Sequence, residues 1–346
     1  MKNHFKTGVV FSLCFLVLAL NGQDFNFTQY FNAPTYYNPA FTGISKGLTV
    51  RSMFRNQLPK QLYGFNSFSF SADLGDRSLP GFGGVGIVVN SDNIGTGIMS
   101  NLSMGLNLSA RIRFSDYFSA MIGVRASVVQ KYMNWDELVF DDQINGAYGT
   151  IYPNSFTPAD DNTKMSPDFG TGVLLEFTSK SSRVSGTAGF AADHLFTPDQ
   201  SFLPDYTSRL PRKYVVHADI AFDIGKQRDM QHAPKGAGDP FKLSPGIQYQ
   251  KQQNMDFLQV GMNVQKFNFT LGSWYKTVID LSKSDNIVLM AGYRFLFGKE
   301  MNIRITYSHD FPVNRSQYGP GEPNEISLIF GYGGLNLFGK GGKKPD

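Results

Sequence analysis

Apolar and polar residues alternate along this chain over segments too long for ordinary strands, and this constrains its fold more than any other feature. In Met301 to Ser308, one side holds Met301, Ile303, Ile305 and Tyr307, and the other holds Asn302, Arg304, Thr306 and Ser308. In Asn101 to Ser109, Leu102, Met104, Leu106 and Leu108 oppose Asn101, Ser103, Gly105, Asn107 and Ser109. Val216, Ala218, Ile220 and Phe222 oppose His217, Asp219 and Asp223, and Leu258 to Val264 oppose Gln259 to Gln265 in the same way. Successive side chains of a strand point to opposite faces, so each segment reads as a strand whose two sides meet different solvents.

A soluble β-sandwich also alternates. Three features favour a membrane barrel instead. The segments run to about 10 residues or more, where ordinary strands average about 5–6. Aromatics recur near segment ends, as at Phe114/Tyr117/Phe118, Tyr293/Phe295/Phe297 and Phe330/Tyr332, which suits interfacial girdles. The polar faces carry small or charged residues, which suits a lumen. Few charges (17%) and many aromatics (14%) also fit a sheet that meets lipid rather than a disordered chain.

The segments predict an all-β fold, a single antiparallel transmembrane β-barrel of about fourteen strands. They fall near 46–56, 63–73, 82–92, 97–113, 116–132, 168–178, 183–193, 212–225, 241–252, 255–266, 267–277, 285–297, 300–310 and 325–336. If the N-terminus is periplasmic, the connections after odd strands are extracellular and should be the long ones. The connections 133–167, 194–211 and 311–324 obey this, and the short ones near Ser115, Ser179–Ser182, Lys266 and Gly298–Lys299 fall at the other end. The long Gly- and Pro-rich connection 226–240 breaks the pattern.

Residues 1–22 read as a signal peptide: Lys2 and Lys6, an apolar run from Val9 to Leu20, then Asn21-Gly22. That run is about 12 residues, too short to span a bilayer, and no later segment is apolar for about 18. Only a closed sheet then remains as a way to cross lipid. Cys14 is the single cysteine and lies in this leader behind bulky Leu13, a poor context for lipid attachment, so no disulfide or thiol chemistry is expected afterwards. Without Lys2 and Lys6 the chain keeps 30 basic residues against 28 acids, or +2, too little to argue for nucleic acid. Residues 23–45 are expected to form a periplasmic or plug segment, 46–336 the barrel, and 337–346 a short basic tail with Lys340, Lys343 and Lys344.

Several motifs resemble a known family. Gln23-Asp-Phe-Asn-Phe-Thr-Gln-Tyr-Phe-Asn-Ala-Pro-Thr-Tyr-Tyr-Asn-Pro-Ala-Phe-Thr-Gly43 resembles the "FSQY…P…NPA.TG" opening of the PorP/SprF family. Arg51 to Gln57 is similar to its "R…R.QW" segment, with Leu58 where Trp is usual. The likeness continues through Ala192-Asp-His-Leu-Phe196, Leu210-Pro-Arg-Lys-Tyr214 and Gly272-Ser-Trp-Tyr-Lys276 to Tyr307-Ser-His-Asp310 and Asn324-Glu-Ile-Ser-Leu328. His309 and Asn324 depart from the "YSYD…HEISL" form. The resemblance implies an outer-membrane barrel of the type IX secretion and gliding machinery of Bacteroidetes. Such barrels support export and surface anchoring of adhesin-type cargo through its C-terminal sorting domain, or work with translocon proteins, periplasmic ring proteins and lipoproteins. It brings no catalytic residues or cofactor, and the alternative reading is a porin or transporter for a small solute.

The residues themselves offer no catalytic or metal site. Gly81-Phe-Gly-Gly-Val-Gly86 matches G-x-G-x-x-G but opens a strand rather than a helix, so close packing explains it better than a nucleotide. Ser308-His309-Asp310 alternate in direction on a strand and cannot share a proton relay. Arg51, Arg111, Arg125, Arg294, Arg304, Asp73, Asp219 and Asp223 fall on lumen faces. They suit a plugged interior held by ion pairs, or a selective pore. Candidate partner contacts on extracellular loops are Trp135, Asp141, Asp142, Tyr148, Tyr152, Phe156, Tyr206 and Tyr318. The acidic loop 133–167 lacks EF-hand spacing, so solvated charge is its default reading.

Overall fold

The structure is a computed structural model. It describes residues 24–57, 64–76, 81–95, 97–145, 149–150, 152–153, 161–203, 205–224, 241–279, 284–298, 300–313 and 322–334. The expected signal peptide, the basic tail and the connection 226–240 therefore lie outside the described residues.

The strands are β1 (Gly47–Asn56), β2 (Phe65–Gly75), β3 (Phe82–Ile94), β4 (Met99–Ser115), β5 (Phe118–Met133), β6 (Ile144–Asn145), β7 (Gly149–Thr150) and β8 (Thr163–Thr178). They continue as β9 (Val184–Asp193), β10 (Lys213–Ile224), β11 (Phe241–Gln252), β12 (Met255–Lys266), β13 (Phe269–Val278), β14 (Ser284–Phe297), β15 (Met301–Pro312) and β16 (Asn324–Tyr332). Fourteen of them form a closed antiparallel barrel, and β6–β7 is a small hairpin within the connection from β5 to β8. The ring closes where β1 pairs with β16, from Leu48↔Tyr332 to Asn56↔Asn324.

All fourteen predicted segments correspond to barrel strands. The β8 strand begins at Thr163 rather than near 168, because it pairs with the upper part of β5 before β9 joins at Thr171↔Ala192. The last strand ends at Tyr332, and β6–β7 was not expected. The two ends of the barrel differ as the loop rule requires. Asp116–Tyr117 and Phe267–Asn268 make tight turns at one end, and the connections 134–162 and 194–212 are long at the other. Barrel architecture assigns the long-loop end to the extracellular side.

Register fixes which face each side chain meets, since a one-residue slip would exchange the two faces. Met104, Leu106 and Leu108 on β4 are about half exposed, while Asn107 between them is 1% exposed. Ile305 and Tyr307 point outward, and Thr306, Ser308 and Asp310 are buried. Bare aliphatic side chains on the outer wall would aggregate in water; hydrocarbon is the solvent that accepts them. Near the periplasmic rim, Phe114 stacks on Phe118 at 5.4 Å, and Phe269, Tyr293 and Phe295 contact edge-on at 4.7–4.8 Å.

The apolar core lies inside the ring. Phe27, Tyr30, Ala33, Tyr36 and Tyr37 pack with Met53, Ala191, Val215, Trp274 and Val288 from the inner wall, and Ala40 packs with Met121 and Leu174. Residues 24–45 hold their shape locally. A helical turn, Pro34–Tyr37, has proline at its start, where the lost N–H costs nothing. Asn38 caps the following 3-10 turn, Pro39–Phe41, by accepting the Ala40 amide at 2.9 Å. The wall makes room with glycine: a Cβ at Gly123 would collide with Pro39–Ala40 backbone, and one at Gly172 with the Asn38 side chain.

Candidate functional site

Residues 24–45 are bonded to inward-facing side chains around the whole ring. The Glu325 carboxylate on β16 accepts the backbone amides of Thr28 (2.5 Å) and Gln29 (2.9 Å) and pairs with Arg55 opposite it on β1. Thr28 donates its hydroxyl to Asp310 on β15 at 2.9 Å, and Lys276 on β13 reaches the same hydroxyl at 3.3 Å. Arg125 on β5 donates to the carbonyls of Thr35 and Tyr36 and pairs with Asp193 at 3.3 Å. Asn38 donates to the Val173 carbonyl at 3.0 Å and meets His217 at 3.2 Å. The Tyr30 hydroxyl donates to Asp219 at 2.7 Å. Gly43 donates its amide to Asp73, whose other oxygen pairs with Arg51.

The start of the segment is clamped by charge. Asp24 pairs with Lys213 at 2.6 Å and with His194 at 2.9 Å, and the other nitrogen of His194 meets Asp168 at 2.9 Å. Burial alone would raise the Asp24 carboxyl, but Lys213 and His194 override it and hold it well below the usual carboxylate range. Burial likewise opposes charge on His194, and the Asp24 and Asp168 carboxylates override it and push its pKa up to about 10.

The predicted lumen charges fall into two groups. Arg51, Arg125, Asp73 and Asp219 are engaged as described, and Arg111 pairs with Glu176 at 3.0 Å. Asp223 stands across from Lys242 on β11. Arg294 and Arg304 stand opposite one another on β14 and β15, and neither forms an ion pair or side-chain hydrogen bond with a described residue. Sequence reasoning placed Glu325, Asp310, Lys276, His194, Lys213 and Asp24 in the motifs of the family resemblance but named none of them as a site residue. Their signal is position: all but Asp24 lie at or just beyond the extracellular end of a strand. Two of the three departures from the family pattern are cross-strand neighbours, His309 opposite Asn324, and they hydrogen-bond at 2.7 Å.

Outside, Trp135 reaches across to Phe202 edge-on at 5.6 Å, so the loops after β5 and β9 touch. Asp142, Tyr152 and Tyr206 are exposed, Tyr206 at 70%. Asp141 begins the 3-10 turn Asp141–Gln143. Tyr148, Phe156 and Tyr318 lie outside the described residues. Among the described residues, no group of three or more His, Asp or Glu side chains is arranged to hold a metal ion.

Two cavities flank the segment. One of about 840 Å³ opens at the periplasmic end and is lined by Tyr30, Phe41, Arg51, His217, Asp219 and Arg304 among others. A smaller one of about 140 Å³ lies on the extracellular side beside Asp24, Tyr36, His194 and Lys213.

A match to the family of type IX secretion system membrane proteins PorP/SprF extends over residues 19–330. The chain belongs to the PorP/SprF family. The residues that suggested this membership in the sequence, from Thr28 to Gly43 and Glu325 to Leu328, form much of the PorP/SprF interior just described. Comparison with curated proteins finds no match. Among solved structures, the chain is similar to the Ralstonia pickettii toluene transporter TbuX, with a TM-score of 0.50 at 10% identity, over 87% of this chain and 92% of that one. It is also similar to a Pseudomonas aeruginosa FadL homologue, with a TM-score of 0.42 at 15% identity, over 82% and 89%. The likeness to TbuX is one of fold, and with the family it makes this PorP/SprF chain an outer-membrane β-barrel.

Proposed function

We propose that this barrel is a plugged docking component of type IX secretion. In this reading residues 1–22 are a cleaved leader and residues 23–45 a plug. The extracellular loops dock the C-terminal sorting domain of an adhesin-type cargo, or a translocon protein, without enzymatic chemistry. The observation that carries it is the use to which the interior is put. Glu325, Asp310, Arg125, Lys213 and Asp73 all direct their charge to the backbone or side chains of one internal segment. A secretion component that must not leak while it holds cargo has use for such a fastening. The loops joined through Trp135 and Phe202 offer aromatic and acidic side chains on a braced surface, the mixture that partner contacts favour.

The test is electrical and biochemical. The full chain in planar bilayers should be silent, and an adhesin sorting domain should be retained by it and lost when 134–162 and 194–212 are shortened together. Retention that survives the shortened loops would refute docking there. The second reading, a solute channel, draws on the cavity of about 840 Å³ and predicts steady conductance from the intact chain.

A further inference from the structure

The periplasmic half of the interior contains a charge arrangement that the plug leaves unused. Arg294 on β14 and Arg304 on β15 are direct cross-strand partners on the inner wall. Like charges in that relation repel, and a guanidinium cannot shed its proton to relieve the strain. Among the described residues, the Nε of each is buried without a hydrogen-bond partner. The neighbouring interior arginines are treated otherwise: Arg51 has Asp73, Arg55 has Glu325, Arg111 has Glu176 and Arg125 has Asp193. Asp73 is already taken by Arg51 and the Gly43 amide. Arg304 and Arg51 both line the cavity of about 840 Å³, with Lys46 and Lys242 on the same cavity's wall.

We propose that Arg294 and Arg304 form a binding site for a divalent oxyanion, a phosphate group or a dicarboxylate, that enters the cavity from the periplasmic end. Each of the two neighbouring guanidiniums carries an N–H fork of the kind that carboxylate and phosphate oxygens match in bidentate fashion. Partial burial strengthens the attraction by removing competing water. The anion offsets the repulsion between the two arginines and gives their unpartnered nitrogens acceptors. The cavity wall carries Glu176, Asp219 and Glu300 as well as Lys46, Lys242 and Arg51, so the attraction for an anion comes from the two arginines themselves. The site is independent of the docking reading, since it faces the opposite end of the barrel from the loops.

The experiment is calorimetric titration of the detergent-purified full chain with inorganic phosphate and, separately, succinate, each against chloride at matched ionic strength. Wild-type protein should bind at least one of the two. R304Q and R294Q should weaken that binding about tenfold or more, as loss of a charge-assisted bidentate contact does. R294K/R304K, which keeps both charges but not the forks, should also bind more weakly, and it reports even if a neutral variant fails to fold. The surface change R212Q should leave binding unchanged. Without added anion, R304Q should unfold at a higher temperature than wild type, because the repulsion is gone. The phosphate and succinate arms separate the two ligand chemistries. No binding above the chloride control by wild type, or equal binding by R294Q and R304Q, would overturn the proposal.

Discussion

The extracellular and periplasmic halves of this interior contain the same kinds of charged residue and use them differently. In the extracellular half, Asp24, Arg55, Asp193, Lys213, Lys276, Asp310 and Glu325 interlock in ion pairs that also grip the internal segment. In the periplasmic half, Arg51 and Asp73 do the same at the segment's end, but Arg304, which lines the cavity, and its neighbour Arg294 have no carboxylate partner among the described residues. Buried charge is tolerated only when it is compensated. One half is compensated from within the chain and is structural. In the other, the Arg294–Arg304 pair lacks such compensation among the described residues, which leaves that pair suited to a ligand.

The comparison is broken most directly by removing the segment. Deleting residues 24–45 takes away the backbone groups that the extracellular network holds. It should convert a silent barrel into one with steady conductance in planar bilayers, the largest change expected of any alteration here. If the deleted chain stays silent, the strands themselves close the lumen. A smaller change is E325A. It strips Arg55 of its main partner and leaves the Thr28 and Gln29 amides unbonded, a loss of about 3–5 kcal/mol for a broken buried pair. Urea unfolding in detergent reads it. An E325A protein as stable as wild type would mean that the fastening is incidental.

Acidity acts on the same half. The Asp24 carboxyl is held below its ordinary range, so its stabilisation is present above that range and is lost as pH falls through the folded-state value. His194 runs the other way. Its pKa is raised to about 10, so its share is complete below about 6.5 and disappears as pH rises through about 10. The clamp at the segment's start should therefore hold across neutral pH and loosen at both extremes. Protease sensitivity near Asp24, followed against pH, should rise on both sides in wild type. In D24N, which removes the shared carboxylate, it should be higher and nearly flat.

The barrel could be read from the sequence, and the fastening inside it could not. Strand identity is a local property of period two, so Asn101 to Ser109 or Met301 to Ser308 reveal their faces without knowledge of the rest of the chain. The placing of Arg51, Arg125, Asp73 and Asp219 on the inner wall follows from the same count. What Glu325 does depends on Thr28 and Gln29, some three hundred residues away in sequence, and no periodicity reports that. Gly123 and Gly172 are footprints of the internal segment, but a glycine in a strand has several causes and becomes informative only beside Asn38 and Ala40. The pairing of His309 with Asn324 was equally hidden: two separate departures from a family pattern become one contact once β15 meets β16.

The smallest expected effect concerns the wall rather than its contents. Between β10 and β11 the paired positions run to Asp219↔Gly246 and resume at Phe222↔Leu243, and the positions skipped lie opposite Ser244 and Pro245. Proline has no N–H to give a neighbour, and central strands therefore avoid it. Pro167 on β8 escapes the problem, because β9 pairs with β8 only from Thr171 onward and leaves that edge open. Pro245 has neighbours on both sides and makes a weak seam beside the cavity that Asp219 and Ser244 line. Amide hydrogen exchange at Ile220 and Ala221 should be faster than at Val128 and Val129 of β5, where the ladder to β4 is continuous. P245V should slow exchange at Ile220 and Ala221 by restoring a donor, for a gain of about 1 kcal/mol typical of one hydrogen bond. It should leave the segment's fastening unchanged, since Glu325 and Asp24 lie at the other end of the barrel. Equal protection of the two pairs of amides in wild type would show that the seam is closed despite the proline.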